Sequence, residues 1–102
     1  MNLVAVTACP TGIAHTYMAA EKLSKMANTM GINIKIETQG ALGVENQLQA
    51  NDIQSAAGVI LAVDIAIEGE ERFNSKPLLK VSVKDAIKDP AKLIKDIMSK
   101  VQ

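Results

Sequence analysis

Aromatic side chains are almost missing from this chain: it has no tryptophan, one tyrosine and one phenylalanine among 102 residues. Its core must therefore be aliphatic, filled by Ile, Val, Leu, Ala and five Met. An excess of charge of either sign is missing too. Eleven basic residues cancel eleven acidic ones, which removes any general electrostatic case for nucleic acid or anionic membrane as a partner. One cysteine cannot close an internal disulfide, so nothing points to an oxidising compartment. A membrane span needs roughly 20 apolar residues, and the longest apolar run, Val59 to Val63, is far shorter. The opening Met1-Asn2-Leu3-Val4 lacks the basic segment that starts a signal peptide. The cytoplasm is the expected location.

What remains is enough for one ordinary domain over residues 1–102, with 48% hydrophobic residues to form a core. There is no repeat, low-complexity tract or linker. The informative stretch runs from Val4 to Thr16, VAVTACPTGIAHT. It reads as a short apolar strand, the only cysteine, and a tight loop opening a helix. Amides in the first helical turn lack intrahelical partners and carry partial positive charge, so a cysteine facing them sits where anions bind and thiolate is favoured. Pro10 stiffens the exit from the strand without wasting a donor. Gly12 can adopt positive φ, as a loop that curls its amides around one point often requires. Thr11 and Thr16 offer hydroxyls, Ile13 and Ala14 supply amides, and His15 falls near the helix start. A lone cysteine after a strand is more often a small buried apolar residue, and it is the Pro-Thr-Gly loop and the helix start that shift the reading toward chemistry; His15 also fits an exposed helical position without a role. From the residues alone, Cys9 is a nucleophilic or anion-binding candidate.

The stretch Val4 to Leu23, VAVTACPTGIAHTYMAAEKL, resembles the IIB component of fructose-type sugar phosphotransferase systems. So do Ile36-Glu37-Thr38-Gln39-Gly40, Asp64-Ile65 and Glu71-Arg72-Phe73, which extends the likeness over nearly the whole chain. The resemblance implies that Cys9 accepts a phosphoryl group from a phosphohistidine on a IIA component. It implies that Cys9 then passes the group to fructose or a fructose-like sugar held by a membrane IIC component, at the inner face of the membrane. It implies a phosphate-binding loop of Pro10, Thr11, Gly12, Ile13, Ala14, His15 and Thr16, a doubly wound fold, and no cofactor or metal.

Along the chain, Leu3 to Thr7 reads as a central parallel strand, apolar on both faces. A helix follows from Ile13 to Thr29, with Ala19, Leu23, Met26 and Met30 at helical spacing and Gly31 as its stop. Ile32 to Glu37 alternates, which predicts an edge strand with Lys35 and Glu37 facing water. Thr38 to Gly43 reads as a loop at the same sheet edge as Cys9. Glu37, Thr38 and Gln39 either line the cysteine site as a rim or close a turn. Asn51 or Asp52 is placed to cap a short helix through Ala56, broken by Gly58. Val59 to Val63 is the most apolar strand and ends in Asp64, which can orient a loop by accepting backbone N–H bonds or can meet a partner. Ile65 to Arg72 reads as a charged crossover in which Glu70 and Glu71 are the nearest partners for Arg72. Leu78 to Val81 is the last strand, Ser82 caps a helix from Val83 to Lys88, and Asp89-Pro90 starts the final helix.

This repeating βα pattern predicts a three-layer α/β fold: a four-stranded parallel sheet in the order 2-1-3-4, with helices on both faces. That order puts a switch point at the Cys9 loop, where such sheets bind ligands. Two other functions compete with phosphoryl carriage. A small cysteine-dependent phosphatase uses a cysteine loop after its first strand, but places an arginine where this chain has His15, and no aspartate here stands in a recognisable acid motif. A non-catalytic anion- or flavin-binding module would leave Cys9 a bystander.

Overall fold

The computed structural model describes residues 1–10 and 13–101, without the side chain of Ile13. Thr11 and Gly12, both expected in the phosphate-binding loop, lie outside the described residues. The elements run β1 (Asn2–Ala8), α1 (Ile13–Thr29), β2 (Asn33–Gly40), β3 (Gly43–Glu45), α2 (Ala50–Gln54), β4 (Gly58–Val63), a 3-10 helix (Glu70–Phe73), β5 (Leu78–Val81), α3 (Val83–Lys88) and α4 (Pro90–Val101).

Among the described residues the sheet has five strands in the order β3-β2-β1-β4-β5. β2, β1, β4 and β5 are parallel, whereas β3 pairs antiparallel with β2. The expectation of a wholly parallel four-stranded sheet is corrected on this point: the strands expected as 2-1-3-4 are there, and a mixed edge is added. The physical reason lies in Gly40-Ala41-Leu42-Gly43. Gly40 and Gly43 face one another and close a two-residue turn, with Gly43 at φ 90°, so Thr38–Gly40 belongs to a hairpin rather than to a loop. β2 is consequently not the sheet edge.

Helix ends follow local chemistry. Gly31, at φ 72°, lets the Ile32 amide reach back to the Ala27 carbonyl (2.8 Å) and closes α1. The Ser82 hydroxyl accepts from the Asp85 amide at 3.1 Å to start α3, and the Asp89 carboxylate accepts from the Lys92 amide at 3.2 Å to start α4. α2 differs from expectation: its N-cap is Gln49, whose amide donates to Asp52 at 2.8 Å, so Asp52 stands inside the helix and not before it. Nor does Gly58 break that helix; it opens β4.

The sheet's two faces carry separate clusters. Leu3, Ala5 and Cys9 of β1 pack with Leu23 of α1, Val83 of α3 and Ile94 and Ile97 of α4. Val4, Val6 and Ala8 pack on the other face with Leu48, Ala56 and Phe73. β4 serves both, being buried along its whole length. The central strand thus delivers Cys9 to the α1 face.

Candidate functional site

Cys9 follows the last residue of β1 and precedes α1 by four positions. It is buried, at 7% exposure, within the cluster beneath α1. On one flank the Asp64 amide donates to the Ala8 carbonyl at 3.0 Å, which carries the β1–β4 pairing up to the cysteine. On the other flank Thr7 stands opposite Thr38 of β2. The Thr7 hydroxyl donates to the Thr16 carbonyl at 3.0 Å and fastens the first turn of α1 to β1. The start of α1 is therefore anchored to the strand that ends just before Cys9.

Of the loop residues, Pro10, Ala14 and His15 are exposed and Thr16 is buried at 1%. Thr38 is buried at 3%. The hydroxyls of both threonines have no hydrogen-bond partner among the described residues. A buried hydroxyl without a partner costs about 1–3 kcal/mol, and both threonines adjoin Thr7, two residues before Cys9: Thr16 through its hydrogen bond and Thr38 through the strand pairing. Gly40 adjoins the same spot, its Cβ position lying 3.6 Å from Thr16 Oγ1.

The other residues expected at the rim do different work. Glu37 aligns with Val6 and so points to the face opposite Cys9, as does Gln39 two residues on. The expectation that Lys35 and Glu37 both meet water also fails at Glu37, which is fully buried. Its carboxylate accepts a two-pronged pair from Arg72 (2.9 and 2.9 Å), a bond from Gln39 Nε2 (2.7 Å) and one from the Leu48 amide (2.9 Å). Burial pushes the Glu37 carboxyl up, but the bonds from Arg72, Gln39 and Leu48 outweigh it and hold the group below the ordinary glutamate range. Arg72 is raised in turn, chiefly by its bond to Glu37. Its guanidinium lies 4.8 Å from the Phe73 ring centroid and bonds the Gly69 carbonyl at 2.6 Å. Glu37, not Glu70 or Glu71, is thus the carboxylate that Arg72 hydrogen-bonds, and Glu71 adds a smaller electrostatic contribution. The signal available in the sequence was that Arg72 is the sole arginine beside ten lysines, since a planar fork suits a buried carboxylate where an ammonium does not.

Gln39 extends this network. Its Nε2 donates to the Glu68 carbonyl at 3.0 Å, and its Oε1 accepts from the Glu68 amide at 2.9 Å. β1 lies between β2 and β4, so the segment after β4 passes over the end of β1 to reach Gln39. Asp64 is exposed and accepts from the Val83 amide at 3.1 Å, tying the end of β4 to the start of α3.

The site combines a recessed thiol, the start of a seventeen-residue helix and two buried hydroxyls. Such a set can hold an anion against the sulfur. It has no arginine in the position a cysteine phosphatase needs, and the one arginine is engaged across the sheet.

Residues 4–96 match the family described as PTS system, Lactose/Cellobiose specific IIB subunit. Among curated proteins, the PTS system fructose-like EIIB component 2 of Escherichia coli K12 is 53% identical over 87 residues, covering 85% of this chain and 82% of that one. The PTS system 2-O-alpha-mannosyl-D-glycerate-specific EIIABC component of the same organism is 46% identical over 98 residues, covering 96% of this chain and 15% of that longer one. Among solved structures, a domain of the fructose-specific IIABC component from Borrelia burgdorferi superimposes with a TM-score of 0.92 at 46% identity, covering 97% of this chain and 94% of that one.

Proposed function

The chain belongs to the IIB family of sugar phosphotransferase systems, in its fructose-type branch, and from that premise we propose that Cys9 is the residue that carries the phosphoryl group. As a phosphotransferase component, the chain is a phosphocarrier in sugar uptake. In our reading it is one IIB domain over residues 1–102, with a phosphohistidine IIA protein as donor and the sugar held by a membrane IIC component as final acceptor. The sugar is fructose or a fructose-like compound. Among the described residues no helix is long and apolar enough to cross a membrane, so contact with the membrane would run through IIC.

The transfer follows from the groups present. Cys9 reacts as thiolate, its sulfur attacking phosphorus in line with the P–N bond of the donor. An S–P bond forms as the P–N bond breaks. The imidazole nitrogen keeps the electron pair and takes up a proton, which balances the one the thiol gave up. Amides at the α1 start, with the Thr16 and Thr38 hydroxyls, would stabilise the equatorial oxygens. In the second half an O–P bond to the sugar forms as the S–P bond breaks, the sulfur leaves with the electron pair, and the proton of the sugar hydroxyl passes to the sulfur or to solvent, which returns Cys9 to its starting state.

The observation that carries this reading is the buried Cys9 between β1 and the start of α1, with Thr16 and Thr38 adjoining Thr7 and their buried hydroxyls without a partner among the described residues. The test is mass spectrometry after incubation with phosphorylated IIA protein. One added phosphoryl group on Cys9 is expected. Cys9→Ser, nearly isosteric but lacking a reactive sulfur, is expected to fold and to carry none. Unchanged sugar phosphorylation by that variant in a reconstituted system would remove Cys9 from the mechanism.

A further inference from the structure

A cavity of about 530 Å³ opens on the sheet face opposite Cys9, between α2 and the 3-10 helix. That size is ordinary for a small-molecule site. Leu48 and Ile53 give it an apolar wall, and both belong to the aliphatic cluster of that face. Arg72 and Lys76 supply its charge, and among the described residues no acidic side chain lines it. The charge of Arg72 is answered by Glu37. That of Lys76 is not. Lys76 is half-buried, and its ammonium donates to the carbonyls of Gln54 and Ala56 at 2.9 Å each. It pairs with no carboxylate among the described residues. An ammonium held by carbonyl dipoles alone leaves positive potential in the cavity.

We infer that this cavity is a binding site for a small aliphatic carboxylate, held by Lys76 and by the last unused N–H of Arg72. The donors left over set the class. Arg72 has five N–H groups and spends four, on Gly69, Glu68 and both oxygens of Glu37. Lys76 has three and spends two. One N–H thus remains on each, which matches the two oxygens of a single carboxylate. A phosphate dianion brings a second charge and more acceptors than these donors serve. Glu71 acts on Arg72 from outside the lining, so the cavity keeps its cationic balance. The apolar wall favours a hydrocarbon chain behind the carboxylate, because that chain leaves water on entering. Cys9 packs on the other face of the sheet, so the site stands whether or not Cys9 carries the phosphoryl group.

The experiment titrates the isotope-labelled full chain with hexanoate, acetate, hexanamide and inorganic phosphate while backbone amide shifts are followed by NMR. Hexanoate is expected to move the amides of residues 48–54 and 72–76 saturably, with a Kd of about 1 mM. Acetate lacks the chain and hexanamide lacks the charge, and each is expected to bind about tenfold more weakly. Lys76→Met keeps the aliphatic stem and loses the ammonium, so it should weaken hexanoate about tenfold as well. Because that variant also frees two carbonyls at the end of α2, Lys76→Arg is run beside it and is expected to retain binding. Alkylation of Cys9 by iodoacetamide should be unaffected by saturating hexanoate. Absence of a saturable shift at residues 48–54 and 72–76 would overturn the inference, as would hexanamide binding there as tightly as hexanoate. Phosphate binding there more tightly than hexanoate would overturn the carboxylate class. Shifts confined to residues 13–16, with slowed alkylation, would put the anion at the Cys9 loop and overturn the site itself.

Discussion

Glu37 shows how one residue can settle several elements at once. Its carboxylate, without exposure to water, collects donors from Arg72, Gln39 and Leu48. Removing one partner of a buried ion pair costs about 3–5 kcal/mol because the other charge is left uncompensated. The side chain of Arg72 is 22% exposed, so water softens the loss, and Arg72→Leu is expected to lower stability by about 2–3 kcal/mol in urea unfolding. The pH dependence has a definite sign. With its folded-state value depressed, Glu37 contributes stability that is fully present above the ordinary glutamate range. That contribution is lost as pH falls through the folded value, which lies below the ordinary glutamate range. In Arg72→Leu the burial of Glu37 dominates instead, so acid relieves the variant by protonating the carboxyl. The wild-type and variant stabilities are therefore expected to converge on acidification. Parallel curves from pH 7 to 4 would show that Glu37 is not the titrating group. This pair was not legible in the sequence. Alternation in Ile32–Glu37 says that side chains alternate, but not what covers each face, and the partner lies 35 residues away.

Elements whose limits are set by neighbours in the chain were readable. α1, β5, α3 and α4 begin or end where Gly31, Ser82 and Asp89-Pro90 said they would, because caps are local chemistry. β3 escaped because three residues show no period, although two glycines flanking a two-residue turn are a hairpin signal. Gly58 was assigned the wrong duty for a related reason: its role is packing, which sequence does not display. A Cβ at Gly58 would lie 2.8 Å from Ile97 Cγ1 and 3.1 Å from Val101 Cγ1, so α4 rests directly on the start of β4. Gly58→Ala is expected to cost about 1–3 kcal/mol, as overpacking does. In combination with Ile97→Ala the loss should be smaller than the sum of the two single losses, since the cavity admits the methyl. Additive losses in chemical denaturation would place the cost elsewhere. At the candidate site, the position of Cys9 was legible from the strand–cysteine–helix pattern. The faces taken by Glu37, Thr38 and Gln39 were not, because they depend on the register against β1.

Taken whole, the molecule offers little to a sugar. Of its two aromatic rings, Phe73 is fully buried and Tyr17 is half-buried on α1. Without a ring face to stack on, isolated chain is expected to bind fructose more weakly than about millimolar, near −4 kcal/mol. Calorimetric binding tighter than that would mean that sugar selection begins here. The same distribution of side chains makes the fold lopsided. α1, α3 and α4 cover the Cys9 side, while among the described residues the opposite side has only α2 and the 3-10 helix over it, helped by the polar bonds of Glu37 and Gln39. Free energies of local opening should differ accordingly, since thinly covered segments open in small excursions and packed ones only with the whole. In deuterium the amides of residues 64–76 would exchange early, while those of Val4–Ala8 and the middle of α1 would stay protonated longest. Local opening would thus reach the side away from Cys9 first, while the strand that ends beneath the sulfur keeps a fixed address.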